Sequence, residues 1–192
     1  MDIMKIFRRS LGAKMAAITI GILVVVFAML LVVANWNQRR ATMAEIEHGA
    51  LRLGELLSMA IADPMRRGNN EATVAKFAEM GQQYQDVDVY LTNFKGEVTY
   101  ATNAEAVRRP LAQILPEGEV QALVQGQLRR AGEVSGFMDV GGVPSFVGVR
   151  SVENGPECHH CHGSSQPILG VIVVRQDVSA QIGALQSSLA IL

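Results

Sequence analysis

Five consecutive residues, Cys158-His159-His160-Cys161-His162, have the residue types and spacing for a specific chemistry. Two thiols three residues apart on one tight helical turn can form thioethers with the two vinyl groups along one edge of a porphyrin. The histidine that directly follows is then placed beneath the iron as the proximal ligand. The motif predicts one covalently attached haem c, with Cys158 and Cys161 as attachment residues and His162 as the proximal iron ligand.

These two cysteines, the only ones in the chain, have two other common uses. A structural zinc site needs more ligands, and His48 is the only histidine outside the motif. A redox-active dithiol typically opens a helix after a strand in a thioredoxin-like βαβ unit, which the sequence pattern lacks. Haem attachment is therefore the preferred interpretation, with the dithiol and zinc as alternatives. We expect His159 and His160 to be solvated spacers that belong to the attachment loop.

A distal iron ligand has no comparable local signature. Methionine and histidine are the common choices, and methionine raises the reduction potential relative to histidine. Beyond residue 34 the candidates are one histidine and five methionines: His48, Met43, Met59, Met65, Met80 and Met138. Met59 and Met65 flank Pro64, where an irregular helix end could aim a thioether at a cofactor. Met65 or Met59 is the predicted distal ligand, and an open or water-bound site is the alternative.

Residues 15–34 form an uncharged apolar stretch of twenty residues, which as a helix matches the hydrocarbon thickness of a bilayer. Residues 1–14 carry four Lys and Arg against one Asp, and Trp36 offers an interfacial ring on the other side. These flanks predict a single-pass anchor in a bacterial inner membrane with a cytoplasmic N-terminus. A cleaved signal peptide is disfavoured by the length of the stretch and by Asn35-Trp36-Asn37 at the cleavage position.

The part beyond the anchor is therefore expected in the periplasm. It carries 13 basic against 17 acidic residues, so it offers no basic field for nucleic acid. Free thiols are unusual in that oxidising compartment, which favours modified cysteines. The whole chain has 192 residues, of which 49% are hydrophobic and 18% charged, so one ordered domain is expected beside the anchor. No acid–base pair or nucleophile constellation indicates an enzyme.

Two helices are predicted before the first strand. Residues 39–62 contain few helix breakers and carry apolar residues at heptad spacing: Met43, Ile46, Ala50, Leu53, Leu57 and Ala60. This stripe either packs on the domain's own sheet or continues the membrane helix and pairs with a second copy in a homodimer. Asp63-Pro64 is expected to bend or end the helix, and a second helix, capped in the loop 67–70, runs to Tyr84.

Five strands and one further helix account for most of the remaining chain. Alternating residues in 86–92 and 97–102 predict one hairpin, and residues 132–140 and 143–152 predict another around Gly141-Gly142. A helix is expected near residues 118–128, and a last strand over 168–176. This order predicts an α+β fold with about five strands and with the helices collected on one side. Residues 178–192 are expected to form an amphipathic helix or the start of a second span.

Taken together, these features resemble those of the periplasmic sensory domains of bacterial chemoreceptors and sensor histidine kinases that carry covalent c-type haem on a PAS-like or Cache-like fold. The resemblance covers nearly the whole chain. It is carried by the N-terminal span, residues 60–69, the hairpin segments 87–91 and 96–102, residues 154–163 with the cysteine motif, and residues 168–174.

The resemblance implies a PAS/Cache-like antiparallel sheet over residues 35–177 with flanking helices. Some members are similar to domain-swapped dimers with a methionine of the first helix near the iron, which favours Met59 or Met65. Members also continue through a second span into a signalling region, whereas this sequence ends at Leu192. Two hypotheses follow: a sensor of redox state or of a diatomic gas, or an anchored electron carrier with a redox partner protein.

Overall fold

The computed structural model describes residues 11–187, and in it the side chains of Leu53 and residues 185–187 are not described. Contacts divide the chain into residues 1–44 and 45–192, each of which is treated by itself. The helices are α1 (Leu11–Arg66), α2 (Asn70–Gln83), α3 (Leu111–Ile114), α4 (Gly118–Arg129), α5 (His159–His162) and α6 (Ser179–Ser187). The strands are β1 (Val87–Thr92), β2 (Val98–Ala101), β3 (Glu133–Val140), β4 (Val143–Glu153) and β5 (Ile168–Asp177).

Helix α1 contains a stretch long and apolar enough to cross a membrane, and none of it is buried against protein. The predicted anchor 15–34 lies within this helix. Residues 1–10 of the predicted cytoplasmic stub lie outside the described part of the chain. Within the first unit, the guanidinium carbon of Arg40 lies 5.0 Å from the centre of the Trp36 ring, so a cation–π pair forms one turn beyond the apolar stretch.

The end of α1 differs slightly from the prediction, because the helix passes through Pro64 and ends at Arg66. The Arg67 amide still donates to the carbonyl of Asp63, at 3.1 Å, and the Asn69 amide donates to the carbonyl of Pro64, at 2.8 Å. Gly68 has a φ of 65°, the left-handed conformation that commonly terminates a helix. The glycine, and not the proline, therefore sets the end of α1.

The buried stripe of α1 also differs from the predicted heptad. Ala50, Leu57 and Ile61 are buried and Ile46 is partly buried, whereas Ala60 is exposed. The stripe packs against sheet residues of the same chain, including Val89 and Phe146. The prediction that Ala60 belongs to the buried stripe was wrong. The buried face follows the ordinary helical period of 3.6 residues and not the 3.5-residue period of a heptad repeat.

The sheet is antiparallel throughout and has the strand order β2-β1-β5-β4-β3. Both predicted hairpins are confirmed, since β1 pairs with β2 and β3 pairs with β4. The last strand, β5, lies at the centre, between β1 and β4. The segment that joins β4 to β5 therefore leaves and re-enters the sheet between neighbouring strands.

Helices cover both faces of this sheet, which corrects the expectation of helices on one side. In β5, Val171 and Val173 belong to a core with α4, while Ile172 and Val174 belong to a core with α1 and α2. Tyr90 of β1 lies in the core that contains α4, and burial raises the pKa of its hydroxyl to about 12. Residues that appeared to face solvent in an alternating strand are thus buried as well.

The described part of the C-terminal tail is helical. Helix α6 follows β5, and the amide of Ile182 donates to the carbonyl of Val178, at 3.0 Å. Ile182 packs against the core that contains α1 and α2. The remainder of the predicted tail, residues 188–192, lies outside the described residues.

Candidate functional site

The cysteine loop, residues 154–167, joins the central strands β4 and β5. A short 3₁₀ turn over Pro156–Cys158 leads into α5, so both cysteines lie on adjoining helical turns as the spacing predicted. Gly163, with a φ of 68°, ends this turn, and its amide donates to the carbonyl of His159, at 2.9 Å. Both thiols are unbridged; Cys158 is half-buried, and Cys161 and His162 are exposed.

Asn154 holds the two ends of the cysteine loop together. Its side-chain Nδ2 donates to the carbonyls of Gly163 and Gln166, both at 2.8 Å. Its backbone amide donates to the carbonyl of Pro167, at 3.0 Å. Sequence reasoning missed this residue. Asn-Gly-Pro signals a turn, but the carbonyls that the amide group reaches are set by the return of the chain into β5.

The two histidines between the cysteines have different partners. The Nε2 atom of His159 lies 3.3 Å from the carbonyl oxygen of Asn154, so this side chain stays within the loop as predicted. The Nε2 atom of His160 lies 3.2 Å from the carbonyl oxygen of Arg66. The expectation that His160 is only a solvated spacer is therefore corrected: this exposed side chain contacts the last residue of α1.

Two neighbouring cavities open on the cysteine motif. The smaller cavity, of about 270 Å³, is lined by Cys158, Cys161 and His162 together with Met65 and the arginines Arg66 and Arg150. It also contains the acidic residues Glu153 and Glu157. Its lining therefore combines the motif, one thioether and charges of both signs.

The larger cavity, of about 780 Å³, shares Met65, Cys161 and His162 with the smaller one. Its wall includes Phe77 and Tyr100, which stack with ring centres 5.7 Å apart. The Tyr100 hydroxyl donates to Oδ1 of Asn70, at 2.8 Å. The larger cavity thus has an aromatic wall and a polar rim, within the volume range of typical small-molecule and cofactor sites.

The six candidates for a distal ligand occupy different places. Met65 lines both cavities and is half-buried. Met59 lines neither of these two cavities and is 60% exposed. Met80 is buried in the core with α1 and α2, and Met138 packs against the other core. His48 is exposed on α1, and Met43 belongs to the first unit. Met65 is the candidate that the fold brings together with the motif.

Among residues 11–187, no three His, Cys, Asp or Glu side chains are grouped so that they could hold a metal ion by themselves. The side chains that line the cavities at the motif are instead one thioether, aliphatic and aromatic groups, hydroxyls, amides, arginines and three carboxylates that are not grouped together.

No protein-family model matches the chain. Among solved structures, the sensor domain of the V. cholerae histidine kinase DctB is similar, with a TM-score of 0.51 and 17% identity. That alignment covers 77% of this chain and 55% of the DctB chain, so this chain spans about half the length of the protein it matches. The ligand-binding domain of Mlp24 with asparagine aligns at a TM-score of 0.33 and 14% identity, over 59% of this chain and 38% of that one.

At 17% identity, the likeness to the DctB sensor domain shows the fold alone. The chain has an α+β fold with a long, apolar N-terminal helix and an open antiparallel sheet of five strands, which matches Cache-like sensor domains. The alignment with Mlp24 is too weak to support any argument.

Proposed function

We propose that this chain is a membrane-anchored monohaem c-type cytochrome domain that acts as a periplasmic sensor of redox state or of a diatomic gas for transmembrane signalling. One observation carries the proposal. The C-terminal end of α1, the helix that contains the apolar stretch, reaches the cysteine motif through Met65 in both cavities and through the contact between Arg66 and His160.

The residues present fit a covalently attached haem. Cys158 and Cys161 lie on adjoining helical turns, are unbridged and face a cavity with His162. The apolar and aromatic groups of the larger cavity suit the faces of a porphyrin, and its volume suits a cofactor. Asn154 supports the fit because it holds the loop that would carry the haem.

When bound, the haem would supply an iron that changes oxidation state or binds a diatomic ligand. In the proposal, Cys158 and Cys161 hold the haem through thioethers and His162 is the proximal iron ligand. Met65, the penultimate residue of α1, would be the distal ligand. Displacement of Met65 would therefore act on the last turn of this helix.

A sensor requires two states whose balance the signal biases, because a ligand with equal affinity for both states shifts nothing. Met65 lines the cavities beside the motif, and the carbonyl of the next residue, Arg66, contacts His160. A change of coordination at the motif would therefore act on the end of α1. The Cache-like fold, the fold of a histidine-kinase sensor domain, supports the same function.

The alternative is a membrane-tethered c-type cytochrome that carries electrons to or from a redox partner protein. The exposure of Cys161 and His162 favours this second function, because an accessible haem edge permits electron transfer between proteins. A carrier would keep one geometry in both oxidation states, since rearrangement adds to the barrier for electron transfer. The two functions therefore differ in whether the structure of α1 changes with the oxidation state or the ligand of the iron.

Reduction or carbon monoxide binding is expected to change amide-exchange protection in the last turns of α1. A coupling free energy of the usual size corresponds to a change of about fivefold or more in an equilibrium constant. The measurement compares exchange of residues 45–66 in the oxidised, reduced and carbon monoxide-treated full chain. The sensor is abandoned for the carrier if exchange in this segment is the same in all three and carbon monoxide does not bind.

The matched controls for this experiment are His160→Ala and His159→Ala. The first removes the contact with the Arg66 carbonyl, and the second removes a contact confined to the loop. We expect the first variant to reduce the response of α1 and the second to retain it. Equal responses in both would show that the His160 contact does not carry the coupling.

Met65→Ala is expected to remove the sulfur-to-iron charge-transfer band of the oxidised protein and to lower the reduction potential. Met59→Ala is the matched control, because Met59 is 60% exposed and lines neither cavity. Electronic spectra and potentiometric titration of both variants test this assignment. A spectrum that changes only in the Met59 variant, or in neither, would refute Met65 as the distal ligand.

A further inference from the structure

Haem carries two propionates, and a buried or half-buried anion needs partners among the protein's cations and hydrogen-bond donors. The two cavities at the cysteine motif offer different partners, so the position of the propionates depends on which cavity receives the porphyrin. The smaller cavity, at about 270 Å³, lies below the usual volume of a cofactor site and contains two acidic residues. The larger cavity, at about 780 Å³, lies within that range.

Arg108 is the one Lys or Arg among the described residues that line the larger cavity. No salt bridge or hydrogen bond engages its guanidinium within residues 11–187. The one acidic residue in the same lining, Glu97, accepts a hydrogen bond from Nδ2 of Asn93, at 3.3 Å. Thr99, Thr102 and Asn69 also line this cavity, but their side-chain oxygens already make hydrogen bonds within the protein.

The backbone at Arg108 is held in an unusual conformation. Its φ of 66° is the only positive value of a non-glycine residue in the described chain, and such a conformation is a cost that the surrounding structure must sustain. Two hydrogen bonds to Val98 of β2 sustain it. The Arg108 amide donates to the Val98 carbonyl, at 2.8 Å, and the Val98 amide donates to the Arg109 carbonyl, at 2.9 Å.

We infer that Arg108 binds a haem propionate in the larger cavity. The inference rests on the proposed function, because it requires that haem is attached at Cys158 and Cys161. A guanidinium forms paired hydrogen bonds with a carboxylate in a way that an ammonium does not, so the recognised group is the carboxylate edge of the porphyrin. Cys161 and His162 line the larger cavity and Cys158 lines the adjoining smaller one, so the porphyrin would lie between the motif and the turn that follows β2.

Arg108→Gln in the haem-loaded full chain tests the inference. Loss of a cation beside a propionate stabilises the oxidised, more positive haem, so the midpoint potential is expected to fall. The propionate bending vibration in the resonance Raman spectrum is expected to shift at the same time. Arg109→Gln is the matched control: it removes the same charge from a neighbour that is exposed like Arg108 but lines neither cavity, and both readouts should stay at the wild-type values.

Arg108→Gly is the second variant, because glycine adopts the backbone conformation of this position without strain and removes the guanidinium. It should show the same shifts as Arg108→Gln in a fully folded chain. Arg108→Lys should have a midpoint potential close to the wild-type value, because it keeps the positive charge. Its propionate vibration should still be shifted, because lysine does not form the paired hydrogen bonds. Unchanged readouts in both the Gln and Gly variants would overturn the inference.

Arg150→Gln and Arg66→Gln locate the porphyrin if Arg108 is not its partner. Shifts in these variants, with wild-type values for the Arg108 variants, would place the propionates in the smaller cavity and overturn the inference while the proposed function stands. A wild-type chain that carries no covalent haem would instead defeat the proposed function itself.

Discussion

The double substitution of Cys158 and Cys161 by serine is expected to abolish covalently attached haem. Each thioether requires one of the two thiols before His162, and the chain contains no other cysteine to replace them. The wild-type chain should carry one haem on a denaturing gel stained for haem peroxidase activity, and the variant none. This is the largest effect that the proposed function predicts, because it removes the cofactor entirely.

Two controls limit what this result can mean. His159→Ala leaves both thiols and should retain full staining, and each single Cys→Ser variant leaves one thioether. The double variant should also unfold at a lower temperature than the haem-loaded chain, because a group bound only by the native state adds to its stability. Stoichiometric zinc without iron in the wild-type chain would contradict the haem assignment.

Most of the secondary structure could be read from the sequence because local patterns determine it, although the short helix α3 was not predicted and α1 ends beyond Pro64. The apolar stretch, the two hairpins and a helix cap within residues 67–70 were all visible in residue types and spacing. The structure assigns this cap to Asn69, whose side chain accepts from the Ala72 amide. The five-stranded sheet follows from the same signals. Strand order did not follow, because β5 is the last strand in the chain and lies in the middle of the sheet.

The buried faces were harder to predict because they depend on what packs on the sheet. Tyr90 and Thr92 alternate with apolar residues along β1, which indicates one solvated face, yet both are buried. The helices that cover this second face come later in the chain and leave no mark on the pattern of β1. Burial on both faces is therefore a tertiary property that the alternation does not contain.

The candidate site divides in the same way. Five adjacent residues define the predicted attachment chemistry, so the sequence contains it. The sequence narrowed the distal ligand only to Met65 or Met59. The choice between them depends on which side of the end of α1 faces the cysteine loop, and this is set by tertiary packing. Asn154 and His160 make contacts between segments that are separated in the chain, and Arg108 lies in a turn with an unusual backbone conformation. No rule of residue spacing indicates these features.

Gly170 on β5 lies against the backbone of β1 at Thr92. A Cβ atom at this position would meet the carbonyl oxygen of Thr92 and would lie 2.7 Å from its carbonyl carbon. The backbone of Thr92 has little freedom to withdraw, because its Oγ1 accepts a hydrogen bond from the Val171 amide, at 3.2 Å. Thr92 and Gly170 also line the larger cavity, so the close approach shapes the wall beside the motif.

Gly170→Ala is therefore expected to destabilise the domain by about 3 kcal/mol or more, because the clash is with backbone and not with a flexible side chain. Gly126→Ala is the matched control. Gly126 lies in the exposed part of α4, no atom lies within 4 Å of the added Cβ, and alanine in a helix should stabilise by roughly 0.5–1 kcal/mol. Chemical denaturation of both variants should show a lower free energy of unfolding for Gly170→Ala and a higher one for Gly126→Ala. A Gly170→Ala variant as stable as the wild type would mean that β1 and β5 do not approach this closely at Thr92, and the wall assigned to the larger cavity would then be wrong.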